Sequence, residues 1–246
     1  MKLHGLNKIT LLDYPGHLAC TVFTGGCNFR CPFCQNAPLV LHPADCPVIS
    51  EDTLFSYLEK RQGMLEGVCV TGGEPTLQPD LIPFLERIRS LGYLIKLDTN
   101  GYRPEVLKEL LRRRLPAMVS MDIKNAPARY AVTAGLPPEQ FTLSCIEESI
   151  RLLLHSDVVC EFRTTVVREL HTEEDFAAIA AWISSLGSTA VCTVPYYLQS
   201  FVSSEQLICQ EPDRYHAYPK ELLLHFVELL RKTLPNTRLR GEQESA

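Results

Sequence analysis

Three cysteines, Cys27, Cys31 and Cys34, stand in the spacing C-x3-C-x2-C immediately after an apolar β-like run at residues 18–23. Thiolates so close in sequence can converge on one metal centre, and thiolate is the natural ligand of iron–sulfur clusters. A cubane holds four irons, so three cysteines leave one iron open to a small molecule that could be reduced there. The local sequence suits such a loop. Gly25 and Gly26 allow a sharp turn off the strand, and Pro32 keeps the loop from closing into a helix. Two plainer readings stand beside this one. Cys46 could complete a four-thiolate structural zinc site. Alternatively the cysteines could pair as disulfides, against which the lack of a secretory signal argues.

Around this loop, β-rich and helix-like segments alternate. Strands are expected at residues 18–24, 67–71, 93–99, 118–123, 158–167 and 189–195. Helices are expected near 50–61, 80–91, from Pro104, and at 142–154, 172–186 and 220–233. Ser50 and Thr172 are suitable N-caps, and Leu54, Tyr57 and Leu58 share one face of the first helix. The stretch 125–141, rich in Pro and Ala, reads as irregular, and 238–246 as a polar, frayed tail. Parallel strands need crossovers of about a dozen residues, which these helices supply. Six units are too few for a complete eight-fold barrel. The expected fold is therefore α/β, a partial (β/α)6 barrel open on one side. With 246 residues and no repeat or linker, the chain reads as one domain with a core at about 14–200.

In βα barrels the functional groups gather at the C-terminal ends of the strands. Here those ends carry the cysteine loop, then Gly72-Gly73-Glu74, then Asp98 and Thr99, then Asp122 and Lys124, and finally Tyr196 and Tyr197. Glu161, Arg163 and Thr165 share one strand face by period-two alternation. Each group has a plain alternative. Gly-Gly-Glu-Pro alone is a common strand-to-helix turn, and Glu74 could be an acidic residue preceding a helix N-terminus. Asp98 and Asp122 could be neutralised by salt bridges to Lys96 or Lys124 on the same strand faces. Arg163, facing inward, needs an anion, either a ligand carboxylate or Glu161.

Taken together, these residues resemble the radical S-adenosylmethionine (SAM) superfamily. Within it they are most similar to the anaerobic ribonucleoside-triphosphate reductase activating proteins, relatives of the pyruvate formate-lyase activating enzymes. The likeness runs through residues 13–16, the cysteine loop with Phe33 before its last cysteine, and residues 72–75, 98–101, 122–124, 163–167 and 197–208. It departs at Gln35-Asn36-Ala37, where many members read His-Asn-Pro. The resemblance implies a 4Fe–4S cluster on Cys27, Cys31 and Cys34, which form the catalytic centre. It also implies SAM bound by Phe33, Asn36, Gly72, Gly73, Glu74, Asp98, Thr99, Asp122, Lys124 and Arg163, with a monovalent cation beside Asp98 and Asp122.

The activity implied is reductive cleavage of SAM to methionine and a 5′-deoxyadenosyl radical. That radical would take a hydrogen atom from a glycine of a partner glycyl radical enzyme, an anaerobic ribonucleotide reductase. A reduced flavodoxin or a ferredoxin-type protein would supply the electron. Two alternatives are a radical SAM enzyme acting on a small molecule, such as a 7-deazaguanine-type synthase, and a non-catalytic iron–sulfur or zinc-binding protein.

Composition narrows the partners. A net charge of −5 gives no basic footprint for nucleic acid, and the run Arg112-Arg113-Arg114 ends an expected helix, where cations suit the dipole. No apolar run approaches the ~18 residues of a membrane span. A cytoplasmic, reducing compartment is expected. Of the ten cysteines, Cys20, Cys69, Cys160 and Cys192 lie in β-like runs as small hydrophobes, Cys145 in a helix and Cys209 in a loop.

Overall fold

The computed structural model describes residues 1–187, 193–211 and 213–241. Eight strands follow one another in chain order through an open sheet. The expected α/β class and unclosed sheet are borne out, with eight strands in place of six. The chain falls into two compact units. The first holds Met1–Asn28, Asn36–Ser120 and Asp157–Val159; the second holds Phe29–Gln35, Met121–Ser156 and the described residues from Cys160 onward.

In the first unit β1 (Leu3–Thr10) runs antiparallel to β2 (Ala19–Thr24), with Leu3 opposite Thr24 and Thr10 opposite Ala19. β1 has no counterpart among the expected strands. Gly5, Asn7 and Lys8 give it little β-propensity, so pairing with β2 makes it a strand. Helices α1 (Ala37–Leu41) and α2 (Glu51–Glu59) follow. Ser50 caps α2 by accepting the Thr53 N–H, as its sequence predicts. The buried face of α2 is Leu54, Phe55 and Leu58, whereas Tyr57 is half-buried and donates to the Lys8 carbonyl.

β3 (Gly67–Gly72) lies parallel to β2, and β4 (Leu94–Thr99) parallel to β3, with α3 (Leu81–Ser90) as their crossover. Val68, Val70 and Leu97 are fully buried, each contributing roughly 1.5–3 kcal/mol. After β4 comes α4 (Pro104–Arg112). Arg112 and Arg113 pair with Glu109, and Arg113 also with Glu86 at 2.6 Å, so the basic run is an ion-paired helix end.

β5 (Met118–Asp122) leads into the second unit, which carries α5 (Tyr130–Thr133), α6 (Leu143–Leu154), β6 (Val159–Val166), α7 (Glu173–Leu186), β7 (Tyr196–Ser200), α8 (Lys220–Arg231) and β8 (Thr237–Leu239). α7 opens on a capping box between Thr172 and Asp175. β6, β7 and β8 are parallel, with Phe162 opposite Tyr196 and Tyr196 opposite Thr237.

Three expectations change here. Most of the expected strand at 189–195 lies outside the described residues, and the described strand starts at Tyr196. Tyr196 and Tyr197 therefore stand at the beginning of β7, not its end; the buried Tyr196 hydroxyl lies 2.6 Å from Thr164 Oγ1. The stretch 125–141 is ordered. It contains α5, Asn125 Nδ2 donates to Thr133 Oγ1 and the Leu170 carbonyl, and Tyr130 stacks on Phe141 with centroids 5.2 Å apart. Finally, Arg238 and Leu239 belong to β8 and not to a tail; a three-residue strand is too short to leave a periodic signal.

None of the nine described cysteines is in a disulfide, so that alternative is not realised among the described residues. Burial pushes the Cys20 thiol up to about 12 and the Cys160 thiol to about 11. Cys192 lies outside the described residues. Among the described residues no helix is long and apolar enough to cross a membrane.

Candidate active site

In the first unit the ends of β2 and β3 pack backbone on backbone. Gly73 N–H donates to the Thr24 carbonyl and Glu74 N–H to the Gly26 carbonyl, both at 2.8 Å. A Cβ at Gly73 would lie 2.0 Å from the Gly26 oxygen, and Gly72, at φ +113°, would bring one 2.4 Å from Thr24 N. SAM binding is the role that the resemblance implies for these glycines. The structure adds a prior reason: only glycine lets the two turns touch. Asn36 Nδ2 donates to the Gly72 carbonyl at 3.0 Å and so fixes the residue after the cysteine loop to the same turn.

Glu74 is buried beneath this turn. Its Oε1 accepts from Thr76 N–H (3.1 Å), Thr76 Oγ1 (2.6 Å) and Thr99 Oγ1 (2.8 Å), and its Oε2 from Asn100 N–H (2.7 Å). Burial raises its pKa, while these four neutral donors pull the other way. Glu74 thus ties the turn after β3 to the end of β4. Asp98 pairs with Lys96, which is completely buried. Beyond Thr99, Asn100 Nδ2 lies 2.8 Å from Asn28 Oδ1 and 3.7 Å from Cys27 Sγ.

The second unit holds Cys31, Phe33 and Cys34. Cys31 and Phe33 are buried, and Cys34 N–H closes a turn onto the Cys31 carbonyl at 3.0 Å. Main-chain bonds hold this turn from the late stretch of the chain. Ile208 N–H donates to the Cys34 carbonyl (3.2 Å) and Cys209 N–H to the Pro32 carbonyl (2.9 Å). Gly135, at φ +68°, packs against Arg30, where a Cβ would lie 2.0 Å from its carbonyl oxygen.

In the same unit Asp122 faces two cations. Lys124 Nζ is 3.0 Å from Oδ2, and Arg163 reaches Oδ1 with Nε at 3.0 Å and Nη2 at 2.9 Å. Burial alone would raise the Asp122 pKa, but Lys124 and Arg163 outweigh it and hold the carboxyl below the usual range. Burial likewise opposes the charge on Lys124, yet Asp122 and then Cys31 push its pKa up. Tyr130 donates to the Asp122 carbonyl at 3.3 Å. Arg163 therefore takes Asp122 as its anion. Glu161, the protein carboxylate considered for it, instead lies 3.9 Å from Arg240.

Residues 21–183 match the family model of the Radical SAM superfamily. The chain belongs to the radical SAM superfamily. It is 30% identical over 195 residues to a candidate glycyl-radical enzyme activating enzyme of Methanocaldococcus jannaschii, covering 76% of this chain and 77% of the relative. It is also 35% identical over 95 residues to a 7-carboxy-7-deazaguanine synthase of Koribacter versatilis, covering 37% of this chain and 39% of that protein. The fold is similar to that of a radical SAM methyltransferase from Sphaerobacter thermophilus, with a TM-score of 0.70 at 14% identity, over 92% of this chain and 67% of the other.

A radical SAM protein implies a 4Fe–4S cluster and SAM, and the donor set fits them. Cys27, Cys31 and Cys34 lie outside any disulfide, and thiolate is the ligand such a cluster takes. Next to Cys27, Asn28 Nδ2 is buried without a hydrogen-bond partner, a donor that an electron-rich group would satisfy. Among the described residues no group of three or more His, Cys, Asp and Glu side chains stands gathered as a metal site. Cys46 directs its sulfur to the His42 carbonyl at 3.6 Å. For Asp98 and Asp122, the lysine pairs considered from sequence are both formed.

The structure thus brings the expected residues together in two groups. Gly72, Gly73, Glu74, Asn36 and Thr99 join in the first unit, with Asp98 held separately by Lys96. Asp122, Lys124 and Arg163 join in the second. Sequence reasoning missed Asn28, Asn100 and Tyr130. Asn100 follows Asp98 and Thr99 directly, yet an Asn-Gly pair at a strand end reads as turn chemistry, which hides its side chain's contacts.

Proposed function

We propose that this chain is a single-domain radical SAM activase that installs a glycyl radical on a partner enzyme in the cytoplasm, with Cys27, Cys31 and Cys34 ligating the cluster. What supports this most is the likeness to the Methanocaldococcus relative, 30% identical over 76% of this chain, where a deazaguanine synthase that covers 70% of it is 24% identical. The motif resemblance favours an anaerobic ribonucleoside-triphosphate reductase as partner, and a reduced flavodoxin or ferredoxin-type protein as electron donor. When bound, the cluster and SAM would supply one-electron cleavage of the sulfonium and abstraction of a hydrogen atom.

The protein's own residues bind and orient. Gly72 and Gly73 offer main-chain groups free of side-chain bulk, and Glu74 and Thr99 hold that turn rigid. Lys124 and Arg163 concentrate positive charge where the carboxylate of SAM would join Asp122 as a second anion. Lys96 on Asp98, with Lys124 on Asp122, takes the part assigned to a monovalent cation. The buried Phe33 lines the adenine side and excludes water. A glycine Cα–H is a suitable hydrogen donor, because the radical left behind is delocalised over two adjacent peptide groups.

The test combines reduced, reconstituted protein with SAM and an anaerobic reductase. A glycyl radical doublet in electron paramagnetic resonance is the expected result, with deuterium moving from the labelled glycine into 5′-deoxyadenosine. Deuterium arriving from a small metabolite, with no glycyl signal, would overturn this reading in favour of small-molecule chemistry.

A further inference from the structure

We infer that Asn100 is a positioning residue whose side-chain amide hydrogen-bonds the sulfur of Cys27 and raises the reduction potential of the cluster bound there. The inference rests on the reading of Cys27 as a cluster ligand. Asn100 is 5% exposed, and its main-chain N–H and both side-chain polar atoms have defined partners. Its main-chain N–H is given to Glu74 Oε2 at 2.7 Å. Its Oδ1 accepts the Tyr102 N–H at 3.0 Å. That bond settles the orientation of the amide, because a backbone N–H can only donate and must face the oxygen. The nitrogen is then turned the other way, with one hydrogen for Asn28 Oδ1 at 2.8 Å and one for Cys27 Sγ at 3.7 Å.

The chemistry follows from charge. Reduction brings one electron from an external low-potential donor onto the cluster and its thiolates; no bond at Asn100 forms or breaks. An N–H donor stabilises the more negative, reduced state more than the oxidised one, and hydrogen bonds to ligand sulfur are a recognised control on cluster potential. Burial strengthens the effect, since water cannot replace the amide. A second observation at the same place points the same way. Asn28 Nδ2 is a buried donor without a partner beside the same cysteine, so this corner offers more N–H groups than the protein itself accepts. Glu74 and Tyr102 N–H fix Asn100 from two sides, so the donor is held in place before any electron arrives.

The test compares Asn100→Asp and Asn100→Ala with the parent after anaerobic reconstitution, measuring iron and sulfide content and the cluster midpoint potential by dithionite titration followed by electron paramagnetic resonance. Asn100→Asp keeps the oxygen that receives Tyr102 N–H and replaces only the donor. Both variants are expected to carry parent levels of iron. Their reduced-to-oxidised ratio at a fixed applied potential should fall about tenfold, which is ~59 mV for a one-electron couple. Asn100→Asp, which also adds a negative charge, should fall further. Loaded variants with the parent's potential would overturn the inference alone. Loss of iron from both folded variants would also overturn it, since Asn100 would then build the loop without tuning the sulfur. A parent protein that takes up no 4Fe–4S cluster would instead overturn the underlying reading of Cys27.

Discussion

Glu74 in the first unit and Asp122 in the second are both carboxylates at strand ends, and their surroundings are opposite in kind. Glu74 is buried among hydroxyl and main-chain donors, without an ion pair among the described residues, and its pKa is raised. Asp122 is about one-third exposed, lies between Lys124 and Arg163, and its pKa is depressed. The first arrangement locks two turns together and has both carboxylate oxygens engaged. The second concentrates opposite charges at a partly open place, where a further anion could join Asp122 at the same two cations. The difference teaches that a carboxylate in a motif serves either as a brace or as a charge centre. Its donors decide which.

The largest expected effect tests the brace at its base. Gly73→Ala puts a Cβ 2.0 Å from the Gly26 carbonyl oxygen, backbone that cannot step aside, and should cost about 4 kcal/mol or more, or prevent folding. Gly26→Ala makes the contrast. Gly26 has φ +80° but nothing within 4 Å of a Cβ, so only about 1–2 kcal/mol of left-handed strain is expected. Urea unfolding of the metal-free variants would measure both, and equal costs would dismiss the turn-on-turn packing.

Next comes Glu74→Ala. It leaves the Thr76 and Asn100 N–H groups and the Thr99 hydroxyl without an acceptor, for a loss of about 3 kcal/mol. Asp122→Asn should cost less, about 1 kcal/mol, because its partly exposed pairs are screened by solvent. The pH dependence separates the two more sharply. A depressed Asp122 contributes stability that is present above pH ~4 and is lost as pH falls toward its folded pKa, so Asp122→Asn should flatten the acid limb of the stability curve. A raised Glu74 acts with the opposite sign. Its contribution is present below pH ~4.3 and is lost as pH rises through its folded pKa, so Glu74→Gln should remove that loss. Identical pH profiles for the two variants would break the distinction between brace and charge centre.

The smallest effect concerns the thiols. Cys20, completely buried and pushed up to about 12, should resist iodoacetamide at pH 8 in the folded protein, while the half-buried Cys46 and Cys209 react. Cys46→Ala should leave iron and sulfide content after reconstitution at the parent level. Cluster loss in that variant would restore Cys46 as a ligand and end the three-cysteine assignment.

The local pattern of the chain carried much of this. Apolar runs alternating with capped amphipathic segments specify β2 to β6 and the helices α2, α3, α4, α6 and α7, but not the short α1 and α5, because strand and helix periodicities and N-caps such as Ser50 and Thr172 are local properties. The cysteine spacing, the glycine pair and the strand-end carboxylates likewise single out the residues proposed for the site, because side-chain type alone limits which ligands they can hold.

What no local pattern could supply is which groups meet. β1 is poor in strand-favouring residues and β8 is only three residues long, so each is a strand because a neighbour pairs with it. Arg163 takes Asp122 across 41 positions of sequence, although Glu161 lies only two residues away. Successive side chains on a strand point to opposite faces, so Glu161 shares a face with Arg163 yet stands a full repeat of the strand from it, while the end of β5 brings Asp122 alongside. The same holds for Asn100 and Cys27, 73 residues apart in the chain and within hydrogen-bond reach in the fold. Residue types set the available chemistry, and partners are chosen by the tertiary structure, because contact distances between elements are fixed by packing and have no trace in the spacing of one segment.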